Sequence, residues 1–319
     1  MEKLLEVKDL KVSFFTDLGE TQAVKDAGFA IEEGDFFGIV GESGSGKSVT
    51  TKSILRLGPS NCKIMGGEIL FQREDILKKS EAELREIRGG EIAMIFQDSL
   101  SALNPVYTVG NKMVELIRRH TSMTKKEAKA RVLELLTAVG ITDPEKAMRS
   151  YPHELSGGMR QRVMIAMAMS SNPKVLIADE PTTALDVTIQ AQILHLLLEL
   201  QKKNNMSIIL ITHDLGVVAQ TCKRVAVMCG GYVVEEGTVE EIFLNPGHPY
   251  TQALIASMPR VGGTFEQFLE RDLSDGSGNL CPFLNRCKYA DKTCEACLPK
   301  YYESSESHKI LCHRREEEK

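Results

Sequence analysis

Long apolar runs, an excess of positive charge and a signal-peptide core are all missing from this chain. Its longest apolar stretches, such as VMIAMAMSS and ILHLLLEL, fall well short of the ~18–20 residues that cross a bilayer. The net charge of −5 argues against a general nucleic-acid binder, which carries a basic face. The N-terminus, MEKLLEVKDL, alternates like a strand and has no apolar signal core. These absences predict a cytosolic protein whose thiols stay reduced.

The order of apolar segments predicts an α/β protein built around a largely parallel sheet. Short apolar runs alternate with longer helical patterns over 319 residues, enough for one large core or two modest ones. Asp186 is the predicted N-cap of one such helix, and Gly230-Gly231 is the predicted turn of a hairpin. Buried strands are predicted at residues 36–40, 93–96, 174–179 and 207–213.

A glycine-rich loop follows the first of these strands and matches the phosphate-binding pattern G-x-x-x-x-G-K-[ST]. Glycines let the backbone N–H groups approach phosphate oxygens at a helix N-terminus. Lys47 is expected to reach the β- and γ-phosphates, and the Ser48 hydroxyl to bind Mg²⁺. The predicted nucleotide site comprises Gly41, Glu42, Ser43, Gly44, Ser45, Gly46, Lys47, Ser48 and Val49.

Two adjacent carboxylates end the strand VLIADE. Asp179 at the strand end can hold Mg²⁺ directly or through its water. Glu180 can then orient and deprotonate the attacking water as a general base. Together with the phosphate loop, this pair predicts a nucleoside triphosphatase.

Several motifs in a fixed order resemble those of ATP-binding cassette (ABC) proteins. The signature-like stretch LSGGMRQR lies just before the acidic strand, and Ala184-Leu185-Asp186 follows it. Gln97 ends IFQ and His213 ends SIILITH, while Phe14 stands where the family places an aromatic ring for adenine. The resemblance covers about residues 4–250.

The resemblance implies a mechanism in which two ATPase domains close head to tail around two ATP molecules. Ser156, Gly157 and Gly158 would then bind the nucleotide held by the partner chain. They are expected at the N-terminus of a helix, which suits the binding of a γ-phosphate. His213 would contact the γ-phosphate and the attacking water, and Gln97 would sense Mg²⁺ and that water.

The resemblance also implies the domain plan. A RecA-like P-loop ATPase domain is expected at residues 1–245, with an antiparallel N-terminal β-subdomain and a helical subdomain at about 98–172. In the transporters, this helical insertion receives helices from the membrane subunits. A small Cys-rich extension is expected at 246–319.

Longer stretches such as NPGHPYTQALIASMP resemble the ATPases of dipeptide and oligopeptide importers. That resemblance implies a peripheral translocase ATPase on the cytoplasmic face of the plasma membrane. Its partners would be a second ATPase chain, identical or homologous, two permeases and an extracytoplasmic peptide-binding protein. The ATPases of related nickel importers resemble much of the same sequence, so nickel or another small solute is an alternative cargo. The acidic charge argues against a soluble ABC ATPase that acts on nucleic acid, and the intact Glu180 and His213 argue against a regulatory subunit that does not hydrolyse ATP.

Five of the eight cysteines lie between residues 281 and 312. A region this small often needs a metal or disulfide staple, and reduced cytosol disfavours the disulfide. The family's C-x5-C-x6-C spacing with a distant fourth cysteine favours a [4Fe–4S] cluster over Zn²⁺, with thiols that bind no metal a third possibility. The expected ligands are Cys281, Cys287, Cys294 and Cys312, with Cys297 as an extra. Such a cluster is expected to be structural, and Cys62, Cys222 and Cys229 are expected to be small core residues.

Overall fold

The computed structural model describes residues 3–97, 103–183, 185–258 and 280–315. The chain divides into two compact units, Met1–Leu77 with Thr212–Lys319 and Lys78–Ile211, here called the first and second units. Over these described ranges, no helix is both long enough and apolar enough to span a bilayer.

The first unit is organised around a mixed sheet. Lys3–Thr16 pairs antiparallel with both Gly19–Glu32 and Cys62–Phe71. Phe36–Val40, the strand before the phosphate loop, pairs parallel with Arg224–Cys229. The strands of the first unit are β1 (Lys3–Thr16), β2 (Gly19–Glu32), β3 (Phe36–Val40), β4 (Cys62–Phe71), β5 (Glu74–Asp75), β9 (Arg224–Cys229), β10 (Tyr232–Thr238), β11 (Tyr301–Glu303) and β12 (Lys309–Leu311). The order across this part of the sheet is β5-β4-β1-β2-β10-β9-β3.

The Cys-rich segment belongs to the first unit and extends its sheet. β12 pairs antiparallel with β10, and β11 pairs with β12. Phe283, Cys287 and Leu311 are buried in one apolar core with residues of β3, β9 and β10. The helices of this unit are α1 (Lys47–Ile54), α8 (Leu215–Thr221), α9 (Val239–Leu244), α10 (Pro249–Ala256) and α11 (Lys292–Ala296).

The second unit combines helices with three parallel strands. β7 lies between β6 and β8, and every residue of β7 is buried. Its strands are β6 (Ile92–Ile95), β7 (Val175–Asp179) and β8 (Ser207–Thr212), the last residue of which falls in the first unit. Its helices are α2 (Glu81–Ile87), α3 (Val109–His120), α4 (Lys125–Ala138), α5 (Pro144–Arg149), α6 (Gly157–Ala168) and α7 (Val187–Asn204). Short 3₁₀ turns occur at Ile76–Lys78, Pro152–Glu154, Met169–Ser171, Leu284–Arg286 and His313–Arg315.

The four predicted buried strands are confirmed to within one residue at each end. Asp186 caps α7 as expected, because its carboxylate accepts a hydrogen bond from the Ile189 N–H at 2.9 Å. The hairpin of β9 and β10 turns at Gly230-Gly231, both of which have positive φ. The domain boundaries at 98–172 and at 245 remain predictions.

Candidate functional site

The phosphate loop connects β3 to α1 through a backbone path that glycine alone permits at two points. Gly41 has φ +152°, and a Cβ there would lie 2.1 Å from the carbonyl oxygen of Met228. Gly46 has φ +102°, and a Cβ there would lie 2.7 Å from the carbonyl oxygen of Ala23. The loop therefore packs tightly against the neighbouring backbone while its helix begins at Lys47.

Side chains at the base of this loop are buried. Lys47 is 5% exposed, and its Nζ donates hydrogen bonds to the carbonyl oxygens of Gly41 at 2.7 Å and Glu42 at 2.8 Å. The buried Oγ of Ser45 has no hydrogen-bond partner among the described residues. An unsatisfied buried hydroxyl is costly unless a ligand satisfies it, so this atom fits a phosphate site. Ser43 and Gly44 are exposed at the tip of the loop, and Ser48 and Val49 are partly exposed.

Phe14 and the start of α1 line one cavity of about 740 Å³. Ser48 and Val49 lie in its wall with the partly buried ring of Phe14, so the aromatic ring and the phosphate loop face one space. This volume is in the range of small-molecule sites. The arrangement fits an adenine ring at Phe14 and phosphates at the loop.

In the second unit, the two predicted catalytic groups Gln97 and Glu180 are in direct contact. The Glu180 carboxylate accepts hydrogen bonds from Gln97 Nε2 at 2.9 Å and from Thr183 Oγ1 at 2.8 Å. Asp179, at the end of β7, is 1% exposed. Sequence reasoning missed Thr183, since a threonine after an acidic pair has no distinctive pattern.

The signature-like stretch begins a helix, as expected. Ser156 is the N-cap of α6, and its hydroxyl accepts a hydrogen bond from the Met159 N–H at 3.3 Å. Gly157 and Gly158 form the first turn of this helix, so their N–H groups have no acceptor within the helix. Ala184 of the following motif lies outside the described residues.

His213 follows the last residue of β8 and is exposed. This position at the carboxyl end of a buried parallel strand matches the predicted placement. Its predicted contact with a γ-phosphate stays a prediction.

Four of the five clustered cysteines line one cavity in the Cys-rich segment. These are Cys281, Cys287, Cys294 and Cys312, the predicted ligand set, whereas Cys297 is exposed and does not line it. Burial raises the pKa of the Cys281 thiol to about 12 and that of the Cys312 thiol to about 11, and the neighbouring thiols contribute to both shifts. These thiols are therefore protonated at neutral pH and would release protons on binding a metal.

The geometry of the four thiols is not that of a single-ion site. Throughout the described part of the chain, no three or more His, Cys, Asp or Glu side chains are grouped so as to hold one metal ion. Tetrahedral Zn²⁺ with sulfur ligands requires sulfur atoms about 3.8 Å apart, since each Zn–S bond is about 2.3 Å. The cavity between the thiols is about 20 Å³, near the size of one water molecule, so a four-iron cluster requires the sulfur atoms to move outward.

Two of the three scattered cysteines belong to the core or pack against it. Cys229 is buried and Cys222 is partly buried against the same core, and burial raises the pKa of both thiols to about 12. Cys62 instead lies partly exposed in the wall of the Phe14 cavity. It begins β4 at the edge of this cavity, where the chain leaves the core.

Sequence reasoning also missed two residues that contact the phosphate loop from the C-terminal part of the chain. The guanidinium of Arg286 donates two hydrogen bonds to the carboxylate of Glu42, at 2.9 and 2.8 Å. The N–H of Glu42 donates to the Tyr250 hydroxyl at 2.9 Å. The Cys-rich segment is far from the loop in sequence but touches it in the structure.

A phosphate loop after a buried strand and an acidic pair after a parallel strand define a P-loop nucleoside triphosphatase. Residues 24–183 match the family model for the ABC transporter, and residues 234–294 match that for the oligopeptide/dipeptide transporter C-terminal region. The chain belongs to the ABC transporter family as an ATP-hydrolysing subunit, for which ATP and Mg²⁺ are the implied ligands.

Relatives and solved structures agree with this assignment. The chain is 49% identical to the dipeptide transport ATP-binding protein DppD of Bacillus subtilis, over 98% of this chain and 95% of that protein. It is 56% identical to the oligopeptide transport ATP-binding protein OppD of the same organism, over 84% of this chain and 75% of that protein. The dimeric structure of MJ0796, a bacterial ABC transporter cassette, superimposes with a TM-score of 0.66 at 30% identity, covering 74% of this chain and 98% of that chain.

Proposed function

We propose that this protein is the ATP-hydrolysing subunit of a membrane importer for dipeptides and oligopeptides. The match of residues 234–294 to the oligopeptide/dipeptide transporter C-terminal region carries the proposal, because the match of residues 24–183 identifies the ABC transporter family without a cargo. The DppD and OppD relatives support it, since they are named for dipeptide and oligopeptide transport.

In the proposed reaction, the phosphate loop binds and positions ATP. Lys47 exchanges its carbonyl contacts for the β- and γ-phosphates, and the hydroxyls of Ser45 and Ser48 approach phosphate and metal. Asp179, through its buried carboxylate, and Ser48 would hold Mg²⁺, and the ion would supply positive charge that offsets the charge of the phosphates.

Glu180 acts as the general base of the proposed hydrolysis. Its carboxylate already accepts hydrogen bonds from Gln97 and Thr183, which hold it in one orientation. Glu180 then takes a proton from the attacking water, while His213 contacts that water and the γ-phosphate. Gln97 would sense Mg²⁺ and the attacking water, since its bond to Glu180 holds its amide beside the proposed base.

Each active site is proposed to be completed by a second ATPase chain. The first-turn N–H groups at Gly157 and Gly158, with the Ser156 cap, are suited to a phosphate that another chain holds. Closure of two chains around two ATP molecules would then couple hydrolysis to movement of the membrane subunits.

The proposed contact with the permeases lies in the second unit. Phe96, Val106 and Tyr107 are large apolar residues exposed by 37, 75 and 51%. Phe96 also lines a cavity of about 230 Å³, together with Leu103 and Leu116. Exposed apolar patches of this kind mark interaction sites. The protein is accordingly proposed to bind the cytoplasmic face of the plasma membrane through two permeases, with an extracytoplasmic binding protein on the far side.

Reconstitution tests the proposed function. We expect co-expressed permeases to retain the protein through purification, and peptide with its binding protein to stimulate ATP hydrolysis in proteoliposomes. A variant with Glu180→Gln should bind ATP but not support uptake. Stimulation by nickel with its binding protein and not by peptide would replace the proposed cargo, and co-purification with nucleic acid in place of permeases would overturn the proposal.

The Cys-rich segment is proposed to hold a structural [4Fe–4S] cluster on Cys281, Cys287, Cys294 and Cys312. Their shared cavity supports the donor set, and the wide spacing of the four cysteines along the sequence suits a cluster better than a single Zn²⁺ ion. The cluster would link residues on both sides of α11 and so stabilise a segment with little core of its own.

Metal analysis of protein purified without oxygen decides between iron and zinc. About four irons per chain, with broad absorbance that dithionite bleaches, would support the cluster. One zinc and no colour would replace it with a Zn²⁺ site. A folded protein with neither metal would contradict both.

A further inference from the structure

Arg286, in the Cys-rich segment, forms a bidentate ion pair with Glu42 of the phosphate loop. Its guanidinium meets both carboxylate oxygens of Glu42, a residue 244 positions earlier in the chain. The Arg286 side chain is 28% exposed and that of Glu42 is 47% exposed, so the pair is partly shielded from water. A planar fork meeting both oxygens fixes orientation as well as charge.

Glu42 is held by two contacts that the proposed ATP binding would leave in place. Its carboxylate meets Arg286 and its N–H donates to the Tyr250 hydroxyl. Its carbonyl oxygen also accepts from Lys47 Nζ at 2.8 Å, a bond that Lys47 would give up for the phosphates. The contacts with Arg286 and Tyr250 use none of the N–H groups of residues 43–48, which point at phosphate in this type of loop. Of those N–H groups, that of Ser45 donates to the Glu42 carbonyl oxygen at 3.2 Å, so the position of Glu42 also affects the turn that follows it.

Aromatic side chains hold Arg286 in place. Its guanidinium lies over the rings of Phe283 and Tyr250, at 5.1 and 5.9 Å from their centroids. Tyr250 and Phe283 are themselves buried and in edge contact at 5.4 Å. The interaction with Glu42 raises the pKa of Arg286 further, so the cation is permanent.

The same segment supports a second side of the loop. Pro282 lies against Gly230, where an added Cβ would approach the proline Cβ to 2.7 Å. The next residue, Gly231, donates its N–H to the carbonyl oxygen of Ser45 at 3.0 Å. Residues 282–286 thus contact the loop directly at Glu42 and, through the hairpin turn, at Ser45.

We propose that Arg286 is a positioning residue for ATP binding, which acts by holding Glu42 and with it the first turn of the phosphate loop. This inference rests on the proposed ATP site. A loop held in its binding shape before ATP arrives loses less conformational freedom on binding. Removing the ion pair therefore weakens ATP binding although neither residue touches the nucleotide through its side chain.

The test measures ATP affinity by titration calorimetry on the full-length protein with Mg²⁺. The variants are Arg286→Gln, Arg286→Lys, Glu42→Gln and the double variant Glu42→Gln/Arg286→Gln. Lys288→Gln is the matched control, because Lys288 is an exposed cation of the same segment that lies over Tyr289. Thermal unfolding without nucleotide is recorded for each variant.

Arg286→Gln and Glu42→Gln should each raise the Kd for ATP about 3- to 10-fold, the range for a well-oriented, partly shielded ion pair. The double variant should be no worse than either single variant, since both remove one interaction. Arg286→Lys should recover part of the affinity, and high salt should narrow the gap between wild type and Arg286→Gln. Lys288→Gln should bind like wild type.

Several results would overturn the inference. One is an Arg286→Gln protein that unfolds earlier yet binds ATP within twofold of wild type, because the pair would then only stabilise the fold. Losses that multiply in the double variant would show that the two residues act separately. Should Arg286→Gln fail to fold, Glu42→Gln and Arg286→Lys decide the matter. A wild type that binds no ATP would instead refute the proposed ATP site.

Discussion

Glu180 occupies a backbone conformation that side-chain-bearing residues rarely adopt. Its φ is +47°, in the left-handed region, and its N–H donates to the Ile211 carbonyl oxygen at 2.9 Å. Such conformations cost about 1–3 kcal/mol and persist where surrounding contacts enforce them. Here the bonds from Gln97 and Thr183 hold the carboxylate, so the backbone strain fixes the direction of the proposed base.

We expect Glu180→Gln to reduce ATP hydrolysis by about 100-fold or more while ATP still binds, because an amide cannot take the proton from water. Phosphate release under saturating ATP measures the rate, and nucleotide titration measures binding. Glu199→Gln, on the exposed face of α7, should leave both unchanged. Wild-type rates in Glu180→Gln would assign the base to another residue.

Glu235 is fully buried and receives three hydrogen bonds. The N–H groups of Gly247 and His248 donate at 2.6 and 2.9 Å, and His308 Nε2 donates at 2.7 Å. The carboxylate thereby joins β10, the segment before α10 and the residue before β12. Sequence reasoning could not find this cluster, because Glu235 follows two valines and precedes a second glutamate, and this order has no distinctive pattern.

The change Glu235→Gln should lower the free energy of unfolding by about 2–4 kcal/mol, because its amide NH₂ would face buried donors. Urea unfolding monitored by circular dichroism measures the loss. The exposed Glu240→Gln is the control and should stay within about 0.5 kcal/mol of wild type. A loss below about 1 kcal/mol for Glu235→Gln would mean that the network contributes little.

Helix α9 is capped by a carboxylate that also holds the C-terminal segment. Glu241 accepts from Thr238 in a capping box and from the hydroxyls of Ser305 and Ser307. Partial burial raises the carboxyl pKa, but these hydrogen bonds outweigh it and lower the pKa to about 2. One side chain thus ties α9 to the turn between β11 and β12.

Glu241 should make stability depend on pH in a defined window. Its folded-state pKa is about 2 against an ordinary 4.5, so its contribution is complete above about pH 4.5 and is lost as pH falls towards 2. We therefore expect the stability gap between wild type and Glu241→Gln to be constant from pH 7 to 5 and to shrink below that. Urea midpoints across this range measure the gap, and a gap that widens on acidification would contradict the assignment.

Strands, helix starts and the phosphate loop could be predicted from short sequence patterns, whereas contacts between distant parts of the chain could not. Buried apolar runs identify β3, β7 and β8, and Asp186 identifies the start of α7, because each signal lies within a few residues. Phosphate-loop residues could be identified for the same reason. Arg286 could not, since its partner Glu42 lies 244 residues away and a lone arginine among cysteines has no pattern.

At the scale of the whole molecule, the C-terminal segment is part of the unit that carries the phosphate loop. Phe283, Cys287 and Leu311 share a buried core with Val40, the residue before Gly41. β12 also pairs with the edge of β10. The separate Cys-rich extension stays a prediction, and the packing of its residues against the core of the first unit was visible only in the structure.

A chain that ends at Met258 should unfold at a lower urea concentration and bind ATP more weakly than the full chain. Loss of the C-terminal segment would expose Tyr250, Val234 and Glu235, which are buried beneath residues 280–315 in the full chain. Urea unfolding and nucleotide titration measure the two effects. Equal midpoints and equal ATP affinity in the two chains would show that the segment is an independent appendage.

The order in which this chain is synthesised has a consequence for its ATP site. Glu42 leaves the ribosome early, but its partners Tyr250 and Arg286 are made 208 and 244 residues later. A nascent chain can form the strand and helix around the phosphate loop well before either partner emerges. Full ATP affinity should thus arrive only after residue 286 has been made, and a ribosome stalled before that residue would carry a nascent chain whose phosphate loop lacks the Arg286 contact.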